Sequence, residues 1–185
     1  HTSSRRQRQM CIRDSNNSAS NTFTWTYDST SPTMTISSST VNSGETSNDS
    51  TISLTFTSSE STTNFIASDI TISGGSLSSF SGSGTTYTAT LTPSGDATYT
   101  ISVAQNKFTD SSGNNNSASN TFTWTYDSTS PTMTISSSTV NSGETSNDST
   151  ISLTFTSSES TTNFIEDDIT ISGGSLSNFS GSGTT

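Results

Sequence analysis

One cysteine, one histidine, one lysine and three prolines are all that 185 residues supply of those types. A lone Cys11 excludes a disulfide framework, and Cys11 with His1 is too little to close a zinc site. With His1 the only histidine and Lys107 the only lysine, the abundant serines find neither a Ser-His-Asp triad nor a Ser-Lys dyad. Charged residues make up 11% of the chain and hydrophobic ones 24%, against roughly 25% and 45–50% in ordinary globular domains. No run of about 18 apolar residues occurs, so no membrane insertion is expected. These absences exclude most enzyme classes, and a protein without catalytic activity is expected.

What is present argues against disorder. Disordered chains are poor in aromatic and β-branched residues, whereas this one carries nine Phe, four Tyr and two Trp, and 86 of its residues are Ser or Thr. Threonine is itself β-branched and suits the exposed face of a strand.

The basic residues are unevenly placed. Arg5, Arg6, Arg8 and Arg13 lie in the first thirteen positions, beside His1 and Cys11, and only Lys107 lies beyond them. From Asn16 onward, fourteen acids face that one lysine, a formal charge of −13. A basic arm on an acidic chain suits nucleic acid or targeting, but no apolar segment of a signal peptide follows it. The string RRQRQMCIRDS resembles a translated sequencing-adaptor artefact. The internal repeat starts directly after it, so residues 1–15 are expected to have no part in the fold, and no nucleic-acid partner is expected.

The rest of the chain repeats itself. Trp25, Tyr27, Asp28 and Pro32 recur as Trp124, Tyr126, Asp127 and Pro131, at an offset of 99 residues. Residues 16–86 and 115–185 align over 71 pairs that differ only at Ala67/Glu166, Ser68/Asp167 and Ser79/Asn178. Such a period is too long for a solenoid unit and matches one small domain. The expected organisation is the last strand of a preceding repeat at 16–28, a complete domain at 29–127, and the first part of a further repeat at 128–185. That last part lacks the counterparts of 87–91, 97–103 and 120–127, so its apolar face is expected to be half uncovered and prone to association.

Within the unit the hydrophobic period is two. Phe122, Trp124 and Tyr126 alternate with threonines, as do Ile52, Leu54 and Phe56; Tyr87, Ala89, Leu91 and Tyr99, Ile101, Val103 alternate likewise. MTI at 34–36 and ITI at 70–72 are shorter versions. Alternation of this kind predicts half-buried antiparallel strands. Turn-rich stretches separate them at 41–50, 73–76, 81–84, 92–96 and 110–117. No segment shows a helical stripe. About seven short strands in two facing sheets predict an all-β fold, an immunoglobulin-like β-sandwich repeated in tandem every 99 residues.

The strings DSTSPTMTISSSTVNSGETSNDSTISLTFTSSES (28–61 and 127–160), DITISGGSLSSFSGSGTTYTATLTPSGDATYTISV (69–103) and FTDSSGNNNSASNTFTWTYD (108–127) resemble the bacterial Ig-like domains repeated in large surface adhesins. The resemblance covers 29–127 and, by repetition, everything from Asn16 onward; the Ser/Thr content is higher than that family's norm. It implies a secreted or cell-surface structural repeat with neighbouring Ig-like repeats of the same chain as its partners. In such arrays, adhesion and biofilm formation, with host or matrix glycans or proteins bound through other domains, are common, and so is calcium between domains.

Candidate chemistry follows from the sparse acids. In an Ig-like sandwich the interdomain linker and two loops share one pole, which would gather Asp28, Glu60, Asp69 and Asp110. Asp127, Glu159, Asp167 and Asp168 would repeat the set in the next unit, with Glu166 added. Hard oxygen ligands at a junction suit Ca²⁺; the alternative is that these Asp, Asn and Gly residues simply make turns. Asp167 and Asp168 do not read as a glycosidase pair, because sequence neighbours on a strand point to opposite faces. Lys107 as an isopeptide donor, the Thr22/Thr24/Thr26 and Thr121/Thr123/Thr125 ladders as ice-binding rows, and Trp25 and Trp124 as sugar platforms are each less favoured. A solvated lysine, exposed strand faces and core tryptophans are the readings preferred. Two roles remain: a spacer that holds a distal head away from the cell, or a repeat that itself binds glycan or protein. Near-identity of successive copies favours the spacer.

Overall fold

A computed structural model describes residues 18–185; residues 1–15, read above as an artefact, lie outside the described residues. The first unit contains β1 (Met34–Ser38), β2 (Thr46–Ser47), β3 (Ile52–Thr62), β4 (Ile70–Ile72), β5 (Ser76–Thr92), β6 (Ala97–Val103) and β7 (Phe122–Tyr126). They form two sheets, β1-β3-β5 and β2-β7-β6-β4. The helical content of the described residues is two 3-10 turns, at Ala67–Asp69 and Glu166–Asp168. The all-β sandwich is therefore as the periodicity predicts.

Register explains why the period-two residues meet. Ile36 lies opposite Phe56, Leu54 opposite Ala89 and Phe56 opposite Tyr87 in the first sheet. In the second, Tyr99 faces Trp124 and Ile101 faces Phe122. All of these side chains are buried, together with Phe65 and Phe108 from the loops. The intervening threonines point outward, where the Thr98 and Thr125 hydroxyls lie 2.9 Å apart across the strand pair. At one end of the core Phe65 meets Tyr87, Phe108 and Phe80 edge-on, with ring centroids 5.1, 5.3 and 5.6 Å away. Such edge-to-face pairs add to the energy of area burial.

The long β5 doubles back on itself. Phe80 stacks on Tyr87 at 5.8 Å, the Ser81 and Thr88 hydroxyls lie 3.2 Å apart, and Gly84 sits at the reversal with φ +67°. Gly82 has no room for a side chain, since a Cβ there would stand 2.4 Å from the Thr86 carbonyl oxygen. The turn predicted at 81–84 is this reversal.

Two segments lie outside the seven strands of the sandwich. Residues 18–33 carry no strand, although 16–28 repeats 115–127 residue for residue. Phe23, Trp25 and Tyr27 are 87, 76 and 72% exposed, where their counterparts Phe122 and Trp124 are 2 and 0% exposed. Alternation alone does not make a strand; the segment needs a sheet neighbour, which β7 has in β6 and β2. Beyond residue 127, β8 (Met133–Ser137) and β9 (Leu153–Ser157) pair antiparallel with the same register as β1 and β3. Their apolar residues Met133, Ile135 and Leu153 remain exposed.

Candidate metal centre

At the Phe65 end of the first unit, the linker, the end of β3 and the loop after β6 converge. Asp28, Glu60 and Asp110 bring carboxylate oxygens within 4.8 Å of one another. Asp28 comes from the linker that leads into the unit. Glu60 lies near the end of β3, inside the strand rather than in a loop. Asp110 belongs to the Asp110–Asn114 turn, which Gly113 closes at φ +92°.

Asp110 is buried and fully engaged. Its Oδ1 accepts from the backbone N–H groups of Ser112 and Asn114, both at 2.8 Å, and its Oδ2 accepts from Asn114 Nδ2 at 2.9 Å. Burial pushes this carboxyl upward, but the donors from Asn114, Ser112 and Gly113 outweigh it and hold the group below the usual range. Asp28 accepts from Thr30 N–H at 3.0 Å and from Ser112 Oγ at 2.9 Å, which lowers it as well. Its carbonyl also accepts from Asn114 Nδ2 at 3.3 Å. Glu60 is raised, first by desolvation and then by the negative charges of Asp28 and Asp110. The linker is thus bonded into the turn, and Glu60 meets two neighbours that are already charged.

The donor set is all oxygen, three carboxylates, which is hard-cation chemistry and not that of zinc or copper. Asp69 does not join it. Its Oδ2 accepts from Ile66 N–H at 2.9 Å and closes the 3-10 turn, a local bond that holds the carboxylate to its own turn. Asp127, Glu159, Asp167 and Asp168 form no such group among the described residues. Asp127 accepts from Thr129 N–H at 3.1 Å, as Asp28 does from Thr30, and Asp168 accepts from Ile165 N–H at 3.0 Å, as Asp69 does from Ile66. The position one repeat beyond Asp110 is not among the 185 residues, so the second set has no counterpart of its best-held member.

Sequence reasoning missed Asp96. Its Oδ1 accepts from the Ser128 backbone N–H at 2.9 Å and from Ser128 Oγ at 2.7 Å, while Oδ2 accepts from Thr129 Oγ1 at 2.7 Å. The hydroxyl of Thr129, then the two donors of Ser128, hold its carboxyl low. Asp96 reads in sequence as a turn residue of TPSGD, and a partner 32 residues away leaves no local signal. The linker after the first unit is therefore gripped by Asp96, while the linker before it is gripped by the Asp110 turn.

The family model for the bacterial Ig-like domain matches residues 28–126 and 127–185. The chain belongs to that family. No curated protein and no solved structure matches it. Bacterial Ig-like domains are in general structural, non-enzymatic units, common in extracellular and cell-surface proteins. The two matched segments make this chain an Ig-like structural repeat. No helix among the described residues is long and apolar enough to cross a membrane.

Proposed function

We propose that the chain is a spacer segment of a bacterial cell-surface or secreted adhesin, in which each Ig-like repeat adds length and each junction resists bending. The observation that carries this reading is the double grip on the linkers: Ser112 and Asn114 hold Asp28 before the unit, and Asp96 holds Ser128 and Thr129 after it. A repeat selected for ligand recognition would need its loops free, whereas here the loop 110–114 is bonded to the linker.

Calcium completes the proposal. Asp28, Glu60 and Asp110 would hold the ion, with Glu60 supplying a carboxylate that its neighbours otherwise disfavour. A bound cation offsets that repulsion and joins the linker to both β3 and the turn. Ligand binding to the folded state raises apparent stability by about 2.7 kcal/mol at a hundredfold excess over the dissociation constant.

Thermal melting of the chain in millimolar calcium and then in chelator tests the ion. A higher melting temperature in calcium, lost in Asp110→Ala, is expected; identical melts remove calcium from the account. The spacer reading is tested separately on a glycan and matrix-protein array, where the chain is expected to bind nothing. Reproducible binding that maps to the repeat loops would make it a ligand-binding module instead.

A further inference from the structure

The asparagines of the first unit divide by what their carboxamides do. Asn42 Nδ2 donates to Glu45 Oε1 at 2.8 Å, Asn64 Nδ2 to Thr109 Oγ1 at 3.2 Å and Asn114 Nδ2 to Asp110 Oδ2 at 2.9 Å. Asn116 Nδ2 donates to the Ala104 carbonyl at 2.9 Å and Asn120 Nδ2 to the Ile36 carbonyl at 3.0 Å. None of these held asparagines is followed two positions later by Ser or Thr. Asn48 and Asn115 are, in the triplets Asn48-Asp49-Ser50 and Asn115-Asn116-Ser117. Both are exposed, as are Ser50 and Ser117, and among the described residues no bond of this kind holds either carboxamide. With 86 of 185 residues Ser or Thr, nearly half of the asparagines would fall in such triplets by chance, held and free alike. In this unit the triplets fall only on free amides.

Both free asparagines stand beside a linker. Ser47, next to Asn48, accepts the Asp127 N–H at its carbonyl at 3.1 Å and Trp124 Nε1 at its Oγ at 3.0 Å, where the chain leaves the unit. Asn114, next to Asn115, donates to the Asp28 carbonyl at 3.3 Å, where the chain enters. Asn48 repeats as exposed Asn147, in Asn147-Asp148-Ser149. One of the three differences between copies, Ser79/Asn178, creates a further triplet, Asn178-Phe179-Ser180, and Asn178 is exposed. Asn16-Asn17-Ser18, the counterpart of 115–117, begins outside the described residues.

We propose that Asn48 and Asn115, with Asn147 and Asn178 in the next unit, are acceptors of N-linked sugar. Asn-x-Ser/Thr, with x not Pro, is the acceptor pattern of asparagine glycosylation on surface loops of secreted proteins. The substrate is a sugar activated as a diphosphate ester of a nucleoside or a polyprenyl lipid, and a glycosyltransferase is the catalyst. Nδ2 attacks the anomeric carbon, and the new C–N bond replaces the C–O bond to phosphate. The diphosphate leaves with the electron pair, and one amide proton passes to a base of the transferase. A held Nδ2 must first give up its hydrogen bond, whereas the amides of Asn48 and Asn115 are free to react. Sugars at these positions add bulk and hydration at both linkers of the unit. The assignment does not depend on a bound ion.

The test is intact-mass and peptide mass spectrometry of the full chain recovered from the bacterium that produces it. Hexose-containing additions are expected at Asn48, Asn115, Asn147 and Asn178. Asn106 is the control: it is exposed but followed by Lys107-Phe108, and is expected to be bare. Ser50→Ala and Ser117→Ala are each expected to remove the addition from their own asparagine and from no other, with melting of the first unit unchanged. Additions that grow in single-hexose steps identify the nucleoside-diphosphate donor, and one block of constant mass identifies the lipid-linked donor. An intact mass equal to that of the bare polypeptide, sugars confined to serine and threonine hydroxyls, or additions that survive Ser50→Ala and Ser117→Ala would each overturn the inference.

Discussion

Asn120 holds Ile36 by both ends of its carboxamide, accepting from the N–H at 2.7 Å and donating to the C=O at 3.0 Å. Ile36 sits on β1, the edge of the first sheet, while Asn120 lies two residues before β7 in the second. A single side chain therefore closes an open strand edge and stitches the two sheets together. Asn120→Ala leaves a backbone donor and acceptor without partners, a cost of about 1–3 kcal/mol. Denaturant unfolding of the variant should show that loss in the midpoint with little change in slope.

Phe65 makes a comparable join among the core aromatics. It lies between Phe80, Tyr87 and Phe108 and is 3% exposed. Phe65→Ala should destabilise the first unit by about 3–5 kcal/mol, as for other buried aromatics cut to alanine. Phe65→Leu should lose distinctly less, measured by the same unfolding experiment.

Strand positions were legible in the sequence because alternation of large apolar residues with threonine is a local signal. Ile52-Leu54-Phe56, Tyr99-Ile101-Val103 and Phe122-Trp124 all turn inward as that alternation requires. The poles were legible only in part. Asp28, Glu60 and Asp110 come together because the Ig-like topology brings linker, strand end and loop to one place. Asp69 does not, because a nearby N–H at Ile66 satisfies it first. Asp96 and Asn120 were invisible, since their partners Ser128 and Ile36 lie 32 and 84 residues away and no periodicity connects them. Residues 18–28 show the complementary limit: the same letters as β7 yield no strand when the neighbouring strands are not there.

The pH response without calcium has two opposing parts. Asp28 and Asp110 are lowered in the folded state, so their contribution is present above the ordinary carboxylate range and lost as pH falls through their folded values. Glu60 is raised, so its charge is destabilising at neutral pH, and that penalty is relieved as pH drops toward its ordinary value. Stability should therefore rise slightly on mild acidification and then fall. Glu60→Gln should melt higher than the parent at neutral pH in chelator and lower than it in calcium, a reversal that a turn-only role for Glu60 does not produce.

Asp96 acts on the linker more than on the fold. Its three hydrogen bonds go to Ser128 and Thr129 at the surface, so Asp96→Ala should change first-unit stability by no more than about 0.5 kcal/mol. Amide exchange at Ser128 should speed up clearly, because its N–H loses its acceptor. Unchanged exchange there would show that the linker is held by something else.

The central claim is that these repeats form a stiff spacer, and small-angle X-ray scattering of two, three and four complete repeats in millimolar calcium tests it most directly. The account predicts a maximum dimension that grows by a constant increment for each added repeat, and growth that slackens when calcium is chelated and Asp96 is replaced by Ala. A dimension that instead rises with roughly the square root of repeat number in calcium, as for freely jointed beads on flexible linkers, would contradict it.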